Sequence, residues 1–322
     1  MKLLAMLPPG ADQGEPNLAL QRAFAGHEVV FAETPEAARQ HLADASLLLS
    51  TTFYAVTREM LEQAPQLRLI QVAGVGVDHV DLQAAKEQGI WVANVTGANT
   101  ISVAEHTVLA LLALSRDLVA AHLAMVQGDW PLPVWMQRAH EVAGKTVGIV
   151  GMGRIGQEVA KRLAPFDLRL IYHDVVPLSK EKEESLGVMR VGLDQLVETA
   201  DFVTLHTPLT SENFHLFDLE RLRRMKPGSF LINTARAELI DEKALAIVLQ
   251  EGPLAGAAID VFEEELLPAD APLRRLPHLL LTPHGAGVTA EATTRISQQA
   301  VKNLLRFIAG QPLIDVVVEG RR

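Results

Sequence analysis

The chain has 322 residues, a length that predicts about two domains, and 48 % of its residues are hydrophobic, enough to supply a core for each. It contains no cysteine, which excludes a disulfide framework, a thiolate nucleophile and a cysteine-based metal site. A net charge of −10 leaves no electrostatic footprint for nucleic acid or for an anionic membrane.

The first apolar stretch, Leu3 to Leu7, is too short for the core of a signal peptide. The most apolar helical stretch, Val103 to Leu114, is interrupted by Glu105 and His106 and falls short of the roughly 20 residues that span a bilayer. The expectation is a soluble, cytoplasmic protein with no metal, nucleic-acid or membrane partner.

Residues 1 to about 98 alternate strand and helix signals. Strands are predicted at Lys2–Leu7, Glu28–Ala32, Ser46–Ser50, Leu67–Val72 and Trp91–Asn94, with helical stretches around Leu18–Ala25, Pro35–Leu42, Arg58–Gln63 and Leu82–Gln88. Such alternation builds an open parallel α/β sheet. Gly74-Val75-Gly76-Val77-Asp78 follows a strand directly. Ligands of open α/β sheets collect beyond strand carboxyl ends, and two glycines there can expose N–H groups to an anion such as a carboxylate. A plain turn before a helix start at His79–Val80 fits the same residues.

Ser102-Val103-Ala104-Glu105 has the form of a capping box, so a helix is expected from near Val103 to about Val126. Asp129 to Glu141 reads as irregular. Trp130, Pro131, Pro133 and Trp135 make it a projecting arm whose aromatics are buried elsewhere, in a homodimer contact or on its own subunit.

The sequence then turns informative. Thr146–Val150 is a buried parallel strand, Gly151-Met152-Gly153-Arg154-Ile155-Gly156 follows at once, Gln157–Leu163 reads as a helix, and a second strand, Leu168–Tyr172, ends at His173-Asp174. Gly151 permits the tight turn, Gly153 leaves the backbone open to a pyrophosphate, and Gly156 lets helix and strand pack closely. The helix start offers unpaired N–H groups to the phosphates. Asp174 can accept from both hydroxyls of an adenosine ribose and would repel a 2′-phosphate. Strand, glycines, helix and acid in this order indicate a dinucleotide site, with NAD favoured over NADP.

Beyond it, Glu181–Glu184 reads as a solvated charged face. Four strands, Asp201–Leu205, Ser229–Ile232, Ala255–Ile259 and Leu279–Leu281, each end on polar or ionisable residues: His206-Thr207-Pro208, Asn233-Thr234-Ala235-Arg236, Asp260, and Thr282-Pro283-His284. Recurrence at strand ends lines one crevice of a parallel sheet. A last helix, Thr289–Ile308, and a strand, Val316–Val318, are expected to return to the first domain and make it discontinuous.

The ordered series Gly151–Gly156, Asn233–Arg236, Asp260-Val261-Phe262-Glu263-Glu264-Glu265 and Pro283-His284 closely resembles the D-isomer-specific 2-hydroxyacid dehydrogenases over essentially the whole chain. The Gly74–Asp78 turn, Val103–His106 and Met225–Gly228 belong to the same resemblance. It implies an α/β fold of two doubly wound parallel-sheet domains. A Rossmann NAD-binding domain, 99–288, would be inserted in a discontinuous flavodoxin-like substrate domain, 1–98 and 289–322, usually in a homodimer. Arg236, Glu265 and His284 fall on the family's catalytic residues. Chemistry agrees: an arginine fork suits a carboxylate and its neighbouring carbonyl, a histidine can give and take a proton near neutrality, and a glutamate can fix its tautomer.

For the cofactor, the resemblance implies Gly151, Gly153, Arg154, Ile155 and Gly156 at the pyrophosphate, Asp174 at the ribose, and Thr207 and Pro208 on the adenine side. Thr234, Ala235, Arg236 and Asp260 would hold the nicotinamide end, with His284 and Gly287 closing it. Substrate would be held by the backbone at Val75 and Gly76, by Arg236 and by His284. His173, His206 and His215 receive no role. Ala237 stands where the family usually has Gly and Leu266 where Pro is common, and no arginine is evident near Asp174. The reaction implied interconverts a small 2-oxoacid, such as glyoxylate, hydroxypyruvate or pyruvate, and its D-2-hydroxyacid. Substrate size would be set by Thr52, Phe53, Tyr54, Val75 and a partner's Trp135. Alternatives are a dehydrogenase of another small anion, of phosphite type, or a non-catalytic NAD-sensing module. Formate dehydrogenases pair the histidine with Gln, against Glu265.

Overall fold

The computed structural model describes residues 1–7, 20–51 and 54–321. They form two compact units: Met1–Asn99 with Thr289–Arg322, and Thr100–Val288.

The first unit holds a six-stranded sheet. In chain order its strands are β1 (Lys2–Met6), β2 (Glu28–Ala32), β3 (Leu47–Ser50), β4 (Leu69–Val72), β5 (Trp91–Ala93) and, from the C-terminus, β13 (Val316–Val318). Across the sheet the order is β13-β5-β4-β3-β1-β2, all parallel except β13, which pairs antiparallel with β5 at the edge. The five parallel strands thus follow the 2-1-3-4-5 order of a flavodoxin-like sheet. The sequence explains its burial on both faces. Along β1, Leu4 and Met6 join one core with Leu48, Ile70 and Val92, while Leu3 and Ala5 join the other with Leu47, Leu49 and Leu69. Side chains alternate between faces along a strand, so unbroken apolar runs are what a twice-covered sheet requires. The helix Ala290–Ile308 covers the second face through Ala300 and Leu304.

The second unit holds seven parallel strands: β6 (Thr146–Val150), β7 (Arg169–His173), β8 (Val188–Arg190), β9 (Phe202–Leu205), β10 (Phe230–Asn233), β11 (Gly256–Ile259) and β12 (Leu279–Leu281). Their order, β12-β11-β10-β9-β6-β7-β8, is that of a Rossmann sheet, with the reversal of direction between β6 and β9. The fold class expected from the sequence is the one found.

Several elements differ from expectation. The helix expected near Val103 starts at Thr100, leaving Ser102 buried inside it, and it stops at Ser115. Asp117 adopts a left-handed backbone (φ 48°), and a separate helix, Leu118–Val126, departs at 66°. None of the residues in that second helix is buried, so no packing holds it in line with the first. Asp129–Glu141 is not irregular throughout, because Leu132–Arg138 is helical. Its prolines do not prevent this: Pro131 precedes the helix and Pro133 lies in its first turn, where N–H groups have no helical partner to lose. β8 was not foreseen. The charged run belongs to a helix, Lys180–Leu186, and Glu183 is not merely solvated, since it accepts a hydrogen bond from the buried Tyr172 hydroxyl (2.6 Å). Burial, reinforced by Glu183, raises the pKa of that phenol. His79 does not start a helix. It lies before the Asp81-capped helix Leu82–Gln88, and its Nε2 lies 3.0 Å from Ser50 Oγ. No single described helix is long and apolar enough to cross a membrane.

Candidate active site

At the switch point of the second unit, β6 leads into the glycine turn. Gly151 has φ +93°, and a Cβ there would stand 2.6 Å from the backbone of His206 and Thr207. A Cβ on Gly156 would lie 2.2 Å from the Gly151 carbonyl oxygen. Both positions therefore admit no side chain, and the close approach brings the N-terminus of the helix Arg154–Leu163 against the end of β6. Gly153 faces open space and caps that helix without a side-chain acceptor, so the leading N–H groups, including those of Arg154 and Ile155, are free to meet an anion.

Asp174 follows β7. One carboxylate oxygen accepts from the Met152 N–H (2.6 Å) and the other from the Val176 N–H (2.9 Å), tying the acid to the glycine turn. Arg190, at the end of β8, donates from Nη2 to the Asp174 carbonyl (3.0 Å). This corrects the expectation that no arginine lies near Asp174: three-residue β8 was not recognised, so the pairing of Arg190 with Tyr172 was not seen. Thr207 and Pro208 follow β9, where Asn213 Nδ2 donates to the Pro208 carbonyl (2.7 Å).

His206, given no role from sequence, stands beside them. Its Nε2 lies 2.9 Å from Thr204 Oγ1, while its Nδ1 is buried without a partner. The ring is partly covered, and its Nδ1 is withdrawn from water. That burial pushes its pKa down to about 3, so the ring is neutral.

Past β10, Asn233 braces the next loop from inside. Its Oδ1 accepts from the Ala235 N–H (3.0 Å) and its Nδ2 donates to the Arg236 carbonyl (2.7 Å). The Arg236 side chain, half-buried, donates from Nη1 to the Ala235 carbonyl (2.7 Å). Thr234 Oγ1 meets Thr107 Oγ1 at 3.2 Å, and Thr107 gives its own proton to the Val103 carbonyl, so Thr234 is the donor of that pair. Sequence reasoning names Asn233 as a strand-end residue without a role of its own and misses Thr107. Ala237 keeps an ordinary negative φ and needs no glycine, whereas Leu266 sits at φ +63°, a conformation closed to proline.

After β11 and β12 come the acid and the histidine. His284 Nδ1 lies 2.8 Å from Glu265 Oε1. With a carboxylate at Nδ1, that nitrogen carries a proton and Nε2 is left for chemistry. His284 itself has φ +51°, an unusual backbone for a residue with a side chain. Asp260 shows why it persists. Its buried carboxylate accepts from the Thr282 hydroxyl (2.5 Å) and the Gly285 N–H (2.9 Å) on one oxygen and from the Ala286 N–H (2.9 Å) on the other. Asp260, expected from the sequence at the nicotinamide end, thus has the His284 loop as its partner. Thr282 spends its one proton on Asp260, so His106, whose Nε2 is 3.2 Å from Thr282 Oγ1, is the donor there. Gly287 lies in the same loop, closed by the Val288 N–H to the Gly285 carbonyl (2.9 Å).

In the first unit, Val75 and Gly76 form the turn after β4. Thr52 and Phe53 lie outside the described residues, and the Tyr54 hydroxyl is engaged with the Glu33 carbonyl (2.5 Å). Trp135, expected to reach a partner's substrate, donates from Nε1 to the carbonyl of its own Arg116.

Residues 108–286 match the family model described as D-isomer specific 2-hydroxyacid dehydrogenase, NAD binding domain. The chain belongs to the D-isomer specific 2-hydroxyacid dehydrogenases. Within this family it is similar to glyoxylate reductase from Korarchaeum cryptofilum, with 39 % identity over 84 % of this chain and 82 % of the relative. It is equally similar, at 39 % identity, to D-3-phosphoglycerate dehydrogenase from Methanocaldococcus jannaschii, over 90 % of this chain and 55 % of the relative. Among solved structures, NAD-dependent formate dehydrogenase from Staphylococcus aureus in complex with NAD is 39 % identical, with a TM-score of 0.92 and full coverage of both chains. The dehydrogenase is an NAD-dependent oxidoreductase. Its glycine turn, unpaired helix N–H groups and Asp174 carboxylate form a donor and acceptor set suited to a dinucleotide's pyrophosphate and ribose.

Proposed function

We propose that the enzyme interconverts a small 2-oxoacid, of the size of glyoxylate or hydroxypyruvate, and its D-2-hydroxyacid. The observation that carries this reading is the 2.8 Å contact of His284 Nδ1 with Glu265. Reduction of a ketone or aldehyde delivers a hydride to carbon and a proton to oxygen. Bound NADH supplies the hydride. Protonated His284 gives its Nε2 proton to the carbonyl oxygen in reduction, and neutral His284 takes the hydroxyl proton in oxidation. Glu265 holds the ring in the tautomer that leaves Nε2 outward and balances the positive charge when the ring is protonated. Arg236 receives the carboxylate and polarises the neighbouring carbonyl through its planar fork. The backbone N–H groups of Val75 and Gly76 receive carboxylate oxygen as well. Gly151, Gly153, Arg154, Ile155 and Gly156 hold the pyrophosphate, Asp174 the ribose, and Thr207 and Pro208 the adenine side. Thr234, Ala235, Asp260 and Gly287 hold the nicotinamide end.

A formate-oxidising reading has the similarity to the Staphylococcus aureus enzyme in its favour. Formate becomes carbon dioxide by loss of a hydride alone, which leaves the His284–Glu265 pair no proton to move. The deciding experiment is NADH oxidation with a panel of 2-oxoacids, and NAD reduction with formate and phosphite, alongside His284→Ala. Turnover of a 2-oxoacid is expected, reduced about 10²–10⁴-fold in the variant. Turnover confined to formate or phosphite would overturn the reading.

We further propose a cytoplasmic homodimer. Support for the dimer is the run of exposed apolar side chains on Leu118–Val126 and Leu132–Arg138, and on Trp130 between them, which is 73 % exposed. A chain without cysteine has no disulfide to lose in a reducing compartment.

A further inference from the structure

A buried chain of amides in the first unit ends on the Gly74–Asp78 turn. Gln71 on β4 has no exposed surface, an unusual place for an amide inside a parallel sheet. Its Nε2 donates to the carbonyls of Val72 (3.0 Å) and Asn94 (3.2 Å), and its Oε1 accepts from Asn303 Nδ2 (2.8 Å). Asn303, on the helix Ala290–Ile308, also donates to the Ile314 carbonyl and accepts from its N–H, both at 2.8 Å. Asn94 is likewise buried, with its N–H on the Asp315 carbonyl (3.1 Å). Its side chain, held in this way, donates from Nδ2 to the Val75 carbonyl at 2.7 Å.

That last bond sets a direction. In a planar trans peptide the C=O and N–H point to opposite sides. Holding the Val75 carbonyl toward Asn94 therefore turns the Gly76 N–H away from it. The preceding peptide is held similarly, because the Gly74 carbonyl accepts from the Val95 N–H (2.9 Å) and the Val75 N–H is turned away in turn. Among the described residues neither the Val75 nor the Gly76 N–H has an acceptor. Two consecutive donors are thus aimed outward together, the arrangement that binds an anionic oxygen. Only one of the two carbonyls is held by a side chain, that of Asn94.

We propose that Asn94, braced by Gln71 and Asn303, is a positioning residue for the substrate carboxylate, fixing the peptide that presents the Gly76 N–H. The proposal rests on the reading that this turn receives the carboxylate of a 2-oxoacid. Without Asn94 the Val75–Gly76 peptide is free to rotate, and substrate must order it on binding.

The test compares wild type with Asn94→Ala, and with Asn94→Ser, which keeps a short hydroxyl in the space, in case the alanine variant does not fold. Four quantities are read: kcat and KM for the best 2-oxoacid, the inhibition constant of oxamate as an unreactive analogue, the Kd of NADH by fluorescence, and the melting temperature. KM and the oxamate constant are expected to rise together by about tenfold or more, with kcat within about threefold and the NADH Kd unchanged. A merely structural role would lower the active fraction, and so kcat, at constant KM. A folded variant with unchanged KM and oxamate constant overturns the proposal while leaving the dehydrogenase reading intact. A wild-type enzyme that neither reduces a 2-oxoacid nor binds oxamate overturns both.

Discussion

His284, the proton carrier proposed above, has its constraints carried by two other residues. Glu265 takes Nδ1 and Asp260 holds the loop on either side of a strained φ, which leaves Nε2 as the ring nitrogen for chemistry. Asp174, proposed above at the cofactor's ribose, is a comparable case. It meets the glycine turn through its carboxylate and Arg190 through its carbonyl, so the charge that would repel a 2′-phosphate and the charge that would attract one are neighbours. Asp174→Ser keeps an acceptor for the Met152 N–H and removes the repulsion. The NADPH-to-NADH ratio of kcat/KM should then rise by about 100-fold, and adding Arg190→Ala should return about tenfold of that gain, the scale of a charge-assisted hydrogen bond to phosphate. Steady-state kinetics with both cofactors checks it. An unchanged ratio in the single variant would show that the ribose end does not decide the cofactor.

Among the elements, the helices after Ser115 stand apart. The helix Thr100–Ser115 is packed against Arg154–Leu163 through Ala104, Leu111, Val159 and Ala160, whereas Leu118–Val126 and Leu132–Arg138 bury no residue. Valine, leucine, methionine and tryptophan left in water on adjoining turns cost about 25 cal/mol per Å² relative to a covered state. A second copy of the chain is the cover proposed above. Val126→Glu combined with Met136→Glu should move the protein from dimer to monomer in sedimentation velocity. The melting temperature of the monomer should show little intrinsic loss of packing, since these side chains are 70 % and 73 % exposed within their own chain. A variant that sediments as wild type would remove these helices from the interface.

At the scale of the whole molecule, one histidine ties stability to pH. His206 is held neutral in the folded state, with its pKa pushed down to about 3, against 6.5 for an ordinary histidine. The unfolded chain therefore binds the extra proton first. Stability is fully present above about pH 6.5 and falls as pH drops from there toward about 3, by at most about 1.4 kcal/mol per pH unit. His206→Gln removes this dependence. Thermal melts at about pH 7.5 and about pH 5 should show the gap between wild type and variant moving in the variant's favour on acidification. A parallel acid loss in both proteins would place the sensitivity elsewhere.

Much of this was legible before any coordinates. The apolar runs announced both sheets, because a strand covered on two faces has no polar side to show. Gly151, Gly156 and Asp174 mark the proposed cofactor end because a turn without room for Cβ and an acid on the next strand leave a chemical trace in the residues themselves. The short strand β8 and the helix Leu132–Arg138 were not legible. Three residues carry no periodicity, and prolines in a first helical turn look like those of a loop.

The sequence by itself determined the fold class, the place of every strand but β8, and which residue types stand at strand ends, since these depend on local pattern and on spacing along the chain. Only the tertiary structure decided which of them meet. Arg190 comes to Asp174, His106 to Thr282, and Asn303 to Gln71 across 232 residues of chain. Such pairings arise from sheet register and helix packing, which bring together groups that carry no mark of one another in the linear order.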